Sequence, residues 1–267
     1  PYLAPATLMV IPWVEFGYGA WYPKGGIYAI AEAIERVGRT AGVRIHTQKG
    51  VERILLESST ARGVRLADGT EVRSDHVVSN ADVHITETEL LGRPEPPTKD
   101  LSCSGFVMLL SVDREDFGLA HHNVLFSNDY ENEFRDIFER KQLPQDMTIY
   151  IARSCASDET QAPADRENWF VLVNAPAGQL DIDEVRESYA QHVIERLKAY
   201  GITPTVREMR IRTSQDMAQE WSTEGGALYG ASSNNMFAAF LRQQQRSKRV
   251  KGLWYVGGSA HPGGGVP

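Results

Sequence analysis

The stretch Lys251-Gly-Leu-Trp-Tyr-Val-Gly-Gly-Ser-Ala-His-Pro-Gly-Gly-Gly-Val-Pro267 decides the reading of this chain. Its first part, 252–256, is apolar and reads as a buried strand. The strand ends on Gly257 and Gly258, and glycine carries no Cβ to keep a ligand away from the backbone. Gly263, Gly264 and Gly265 follow, bounded by Pro262 and Pro267. Such a loop can turn several N–H groups toward an anion or an electron-rich carbonyl. On the glycines alone, a plain glycine-rich turn stays open as the alternative.

Working outward, residues 8–16 are apolar and β-branched or aromatic and read as a strand, and 17–26 as a loop with four glycines. Ile27, Ile30, Ala31, Ile34 and Val37 then recur at spacings of three and four, a helix, with Gly38 and Gly42 at its exit. Gly25 and Gly26 stand just ahead of it, so its free N–H groups are expected to face open space. Short strands are expected over 43–47, 51–57, 61–66, 71–73 and 76–79, with Asp68-Gly69 as a hairpin turn. Residues 91–100 carry three prolines and mark a boundary. Beyond it, strands are expected over 105–112, 123–127, 147–152 and 169–174, and helices over 130–140 and 183–200. The second of these helices carries Val185, Tyr189, Val193, Ile194 and Leu197 on one face. The order predicts an α/β fold with an α+β, mixed-sheet insertion.

The net charge of −7 over 267 residues argues against nucleic acid as a partner, which needs a basic footprint. Cys103 and Cys155 are too few and too far apart for a metal knuckle or a disulfide framework, so a reducing cytoplasm is expected. No apolar run reaches the about 18 residues of a membrane span, which leaves open a protein lying on a membrane. Both ends read as cut: the chain begins at Pro1 without Met and stops at Pro267 inside a turn, so a preceding part of the same chain is an expected partner.

Three ordered blocks carry a resemblance. Tyr255-Val-Gly-Gly-Ser-Ala-His-Pro-Gly-Gly-Gly-Val-Pro267 resembles the C-terminal FAD signature of the bacterial and fungal phytoene desaturase family. Trp21-Tyr-Pro-Lys-Gly-Gly26 resembles that family's aromatic-Pro-x-Gly-Gly segment, and Asp75-His-Val-Val-Ser-Asn-Ala-Asp82 its Val-Ser-Asn-Ala-Asp strand. Leu119-Ala-His-His-Asn-Val-Leu-Phe126 is similar to its substrate domain, and Gly225-Gly-Ala-Leu-Tyr-Gly230 to an element near its active centre. The resemblance covers nearly the whole chain. It departs in one respect: the family's Gly-x-Gly-x-x-Gly turn, which holds the FAD pyrophosphate, follows no strand here and is expected upstream of Pro1.

The resemblance implies part of a Rossmann-like FAD/NAD(P)-binding fold with an inserted substrate domain. Residues 1–20 would end a substrate-domain segment, 21–90 form the second half of the FAD-binding domain, 91–245 the substrate domain, and 246–267 the returning strand and flavin loop. It places the Val51 backbone at the adenine end and Asn80 and Ala81 near the dinucleotide. It also places Gly257 and Gly258 against the ribityl or pyrophosphate portion, and His261, Pro262, Gly263, Gly264, Gly265 and Val266 along the flavin ring. Apart from the resemblance, Val51 reads as a core valine and Asn80 as a turn-former. His261 invites a proton-moving role, against which stands an imidazole that only anchors the loop. His121 and His122 are expected on opposite faces of a strand, without a metal. Arg207, Arg210 and Arg212, with Glu208 and Asp216, read as solvated surface.

The implied activity is FAD-dependent desaturation of a carotenoid, phytoene or a hydroxylated carotene. The cofactor takes up hydride, and the protein supplies position and a dry channel for a long apolar substrate drawn from a membrane surface. The expected location is cytoplasmic and peripheral to the membrane. A carotenoid isomerase or retinol-saturase-like enzyme shares these blocks. An amine oxidase usually shows an acidic residue where Gly257-Gly-Ser259 stands, and an inactive fragment is the non-enzymatic alternative.

Overall fold

The computed structural model describes residues 6–178, 182–232 and 242–264. The expectations for Gly265, Val266 and Pro267 lie outside the described residues.

The N-terminal apolar run expected as a strand is helical: a 3-10 turn (Ala6–Met9) leads into α1 (Val10–Tyr18). A continuous apolar run does not separate strand from helix by period. Among the described residues this one has no neighbouring strand, and a helix satisfies its backbone locally. Pro12 is tolerated in the first turn, where its missing N–H costs no intrahelical bond.

Helix α2 (Tyr28–Thr40) forms where the apolar spacing predicts it. None of its residues is buried, however, and Ile34 and Val37 are 67% and 71% exposed. The expected strand over 43–47 does not form. The Val43 N–H closes onto the Gly38 carbonyl at 2.9 Å, and the segment pairs with no strand among the described residues.

The expected meander is present as β1 (Val51–Glu57), β2 (Thr60–Leu66) and β3 (Glu71–Arg73), antiparallel throughout. The Asp68-Gly69 turn closes with the Thr70 N–H on Asp68 Oδ1 at 3.0 Å and Gly69 at φ +84. Strand β4 (Val77–Ser79) pairs in parallel with β10 (Leu253–Tyr255), the strand that returns from the far end of the sequence. Backbone bonds at both Ser59 and Ala61 fasten the meander to Lys251, just ahead of β10. Ile54, Ala61, Val250, Leu253, Tyr255 and Ala260 form the small core between them.

Between β4 and β10 lies the insertion. Short α3 (Val83–Ile85) continues as a π turn (Thr86–Leu90), followed by the proline-rich stretch. The insertion is then built on a five-stranded sheet: β5 (Ser104–Asp113), β6 (His122–Leu125), β7 (Ile149–Ala152), β8 (Arg166–Ala175) and β9 (Val206–Arg212). Its order is β6-β7-β8-β5-β9, and every pairing is antiparallel, where a mixed sheet was expected. Helix α4 (Tyr130–Arg135) runs into a π turn (Asp136–Arg140), and α5 (Ile182–Ala199) covers one sheet face. Phe106, Met108, Trp169 and Val171 pack there against Tyr189, Val193 and Leu197 of α5. Each such side chain, fully buried, contributes roughly 1.5–3 kcal/mol. Val185, expected on the same helix face, is 43% exposed.

Strand β9 and α6 (Ser214–Trp221) occupy the stretch read as charged surface. Arg207, Glu208 and Arg210 are indeed exposed, because β9 is an edge strand, where charge blunts unwanted pairing. Ile211 nevertheless reaches the core.

Candidate functional site

Parallel pairing brings two sequence-distant strand ends to one level. Tyr255 sits opposite Ser79, and the Val256 N–H donates to the Ser79 carbonyl at 2.9 Å. The segments after them, Asn80-Ala81-Asp82 and Gly257-Gly258-Ser259, emerge side by side at the carboxyl edge, where open α/β sheets bind ligands. Gly257 has φ +103, and a Cβ there would lie 2.6 Å from Asn80 Oδ1. Ser259 Oγ accepts the Val83 N–H at 3.0 Å, and Asp82 Oδ1 accepts the His84 N–H at 2.8 Å. Burial pushes the Asp82 carboxyl above its usual range; the His84 N–H pulls it down, and the negative charge of Glu224 adds to the rise.

A third segment closes the site from the side. Gly258 would meet the Leu228 carbonyl at 3.3 Å, and Gly264 the Tyr229 ring at 1.9 Å, if either carried a Cβ. Gly258 thus lies against the backbone of the segment, and Gly264 against the Tyr229 ring. Arg242, buried, donates from Nη1 to the carbonyls of Tyr229 at 2.6 Å and Gly258 at 2.9 Å, and from Nη2 to that of Ala231 at 2.8 Å. Beneath the loop, the Tyr255 hydroxyl donates to the Glu87 carboxylate and lies 3.3 Å from Ser247 Oγ. Burial, and then the Glu87 hydrogen bond, push the Tyr255 phenol up to about 12. A cavity of about 450 Å³ opens here, lined by Asp82, Glu87, Arg242, Arg249, Tyr255 and Ser259 among others.

Of the residues singled out from sequence, Asn80, Ala81, Gly257, Gly258, His261, Pro262, Gly263 and Gly264 stand on these two emerging segments. Val51 does not join them. It opens β1, pairs with Leu66, and belongs to the meander fastened at Lys251, the opposite end of β10 from Gly257. Gly265 and Val266 lie outside the described residues. His261 anchors the loop through its backbone, whose N–H donates to the Gln243 carbonyl at 2.8 Å. Its imidazole bonds to no described residue. The His261-Pro262 peptide is cis.

Two further expectations are corrected. His121 and His122 are neighbours rather than opposed, with ring centroids 4.3 Å apart, because His121 precedes β6 instead of lying in it. The N–H groups ahead of α2 do not all face open space: the Gly25 N–H donates to Asp158 Oδ2 at 3.0 Å, and Tyr22 packs edge-on against His121 at 4.5 Å. The Trp21–Gly26 block is therefore held by the insertion. Arg242, Tyr255 and Glu87 were not singled out as site residues. Arg242 stands beside three glutamines and no motif marks it; Tyr255 reads only as an apolar strand residue.

The site suits a flavin nucleotide. A glycine at positive φ allows backbone approach, and the N–H groups of Gly258 and Ser259 donate to no described residue. Among the described residues, no group of three or more His, Cys, Asp or Glu side chains is placed to hold a metal ion.

Residues 14–266 match the model of the flavin containing amine oxidoreductase family. Over its whole length the chain is 37% identical to a 4,4'-diaponeurosporene oxygenase of Staphylococcus haemolyticus. It is 34% identical to a 1-hydroxycarotenoid 3,4-desaturase of a Flavobacterium, and 35% to a zeta-carotene-forming phytoene desaturase of Myxococcus xanthus. It spans 55%, 56% and 54% of those proteins, about half their length. In fold it is similar to a crystal structure of an oxidoreductase from Methanosarcina mazei, with a TM-score of 0.60 at 19% identity, over 89% of this chain and 50% of that one. These likenesses bear out the α/β flavoprotein fold, FAD as the cofactor and the resemblance to carotenoid desaturases. The chain belongs to the flavin-containing amine oxidoreductase family.

Proposed function

We propose that this chain is part of an FAD-dependent enzyme that dehydrogenates a carotenoid, acting with the half of its relatives' length that it does not span. The observation that carries this is whole-length identity of 34–35% to proteins that desaturate carotenoids. Two structural features support it. One is the glycine loop, whose Gly258 and Ser259 N–H groups donate to no described residue, the expected site of the flavin ring. The other is the face of the five-stranded sheet away from α5, where Leu109 and Phe170 pair beside the register row Leu172, Tyr150 and Val124; Val107, next in that row, is buried. Leu109 and Phe170 stay 41% and 38% exposed, an apolar strip that suits a long flat hydrocarbon.

When bound, FAD supplies a two-electron acceptor, so the chain itself needs no nucleophile. Its residues hold the loop, keep water from the reacting carbons and orient the polyene along the sheet. The test is mass spectrometry of products from the FAD-loaded full-length protein given phytoene or a hydroxylated carotene. Loss of two hydrogens per step supports the proposal. An unchanged mass indicates an isomerase, added hydrogens a saturase, and added oxygen an oxygenase like the Staphylococcus relative. No flavin uptake at all points to an inactive fragment.

The same reading puts the protein in the cytoplasm at a membrane surface, where such substrates dissolve. Support comes from α1 and its neighbour Trp21, which expose Trp13, Phe16 and Tyr18, aromatic residues suited to an interface. Among the described residues no helix is long and apolar enough to cross a membrane. Liposome flotation tests this: a protein that stays wholly in the soluble fraction rejects it.

A further inference from the structure

Arg242 is buried, at 8% exposure, yet it belongs to none of the recognised blocks and touches neither strand of the parallel pair. Toward the described residues it donates to main-chain carbonyls, two on the 229–231 segment and one on the glycine loop, at Gly258. The loop makes room for it: a Cβ on Gly263 would come within 3.1 Å of Arg242 Nε, and Gly263 has φ +118. Burial lowers the pKa of the guanidinium, but an arginine stays charged in proteins, so these are charge-assisted bonds.

The consequence follows from peptide geometry. In a trans peptide the C=O and the next N–H point in opposite directions. Arg242 draws the Gly258 carbonyl toward itself, so the Ser259 N–H is turned away from it. That N–H donates to no described residue. Its direction is thereby fixed, with no acceptor for it among the described residues.

We propose that Arg242 is a positioning residue for the flavin: by pinning the Gly258–Ser259 peptide and joining it to the 229–231 segment, it pre-orients the loop N–H donors that meet the cofactor. The inference rests on the reading of 257–264 as the flavin loop. Arg242 acts through the loop backbone and does not itself touch the flavin. A lysine has a single donor head and cannot reach three carbonyls in the same fork geometry.

The experiment compares wild type, Arg242→Lys and Arg242→Met in the FAD-loaded full-length protein. FAD dissociation constants are measured by fluorescence titration, and the visible spectrum and midpoint potential of the bound flavin are recorded. Arg242→Met is expected to weaken FAD binding at least about tenfold, as three charge-assisted bonds are lost. The flavin that remains bound should show a shifted spectrum and a more negative potential, because loosened donors stabilise its reduced form less. Arg242→Lys should fall between, and added guanidinium should partly restore Arg242→Met. A merely structural arginine would lower thermal stability while leaving the spectrum and potential of bound flavin unchanged, which overturns the inference. If Arg242→Met does not fold, Arg242→Lys decides, since wild-type affinity, spectrum and potential in it also overturn the inference. Wild-type protein that takes up no FAD sinks the flavin reading itself. Wild type that binds FAD, with both variants unchanged, sinks only the role of Arg242.

Discussion

At Gly257 a single backbone angle links fold to site. The residue sits at φ +103 with Asn80 Oδ1 2.6 Å from where a Cβ would be, so an alanine must both enter a strained region and push Asn80 aside. Gly257→Ala is expected to cost about 1–3 kcal/mol. Urea unfolding reads this as a lower midpoint at unchanged slope; an unshifted midpoint rejects the strained geometry. Tyr255 is the second test. Its hydroxyl donates to the buried carboxylate of Glu87, which also lies 3.3 Å from Arg93. Tyr255→Phe leaves that carboxylate short of one donor, at a cost of about 1–3 kcal/mol. Combined with Glu87→Leu, the second loss should be smaller than Glu87→Leu causes alone, since the pair acts as a unit. Full additivity contradicts the contact. Glycine type and spacing made the loop legible from sequence, but nothing local announced Glu87, whose partner is 168 residues away.

Among the elements, α6 shows how strongly local chemistry fixes an end. Thr213 and Asp216 form a reciprocal capping box: the Thr213 N–H donates to Asp216 Oδ2 at 2.8 Å, and the Asp216 N–H to Thr213 Oγ1 at 3.4 Å. Arg186 of α5 adds an ion pair at 3.0 Å. Burial alone would raise the Asp216 carboxyl, but the Thr213 N–H and Arg186 outweigh it and hold it below the ordinary value of 3.8. Because the folded value is depressed, the stabilisation is present above 3.8 and is lost as pH falls through the lower folded value. Asp216→Asn should therefore lose about 1 kcal/mol at neutral pH. It should also flatten the acid limb of the stability profile, measured by urea unfolding at stepped pH. A variant with the wild-type acid limb refutes the assignment. Asp216 read as solvated surface, and the structure corrects this: it is partly buried in the capping box and paired with Arg186. The strand before it was missed as well, because in β9 exposed arginines mask the inward Val206 and Ile211.

Across the whole molecule stability is uneven. The five-stranded sheet with α5 holds the large core, whereas α2 has no buried residue and only 13 residues, near the length at which a helix without packing is marginal in water. Amide exchange should run at least about 100-fold faster in α2 than at Met108 or Val171 in the chain by itself. Equal protection would mean that the α2 stripe is covered. The sequence by itself determined the periodic helices, the meander, the strand that ends in glycines and the blocks that mark a flavoprotein, because period, turn chemistry and glycine spacing are local properties. It misassigned 8–16 and 43–47, since an apolar run becomes a strand only where a partner strand bonds it. Only the tertiary structure decided that the returning strand β10 pairs with β4 in particular, that Asn80 meets Gly257, and that Arg242 bonds the Gly258 carbonyl. Those are contacts between residues far apart in the chain, set by which surfaces pack together, and no local pattern encodes them.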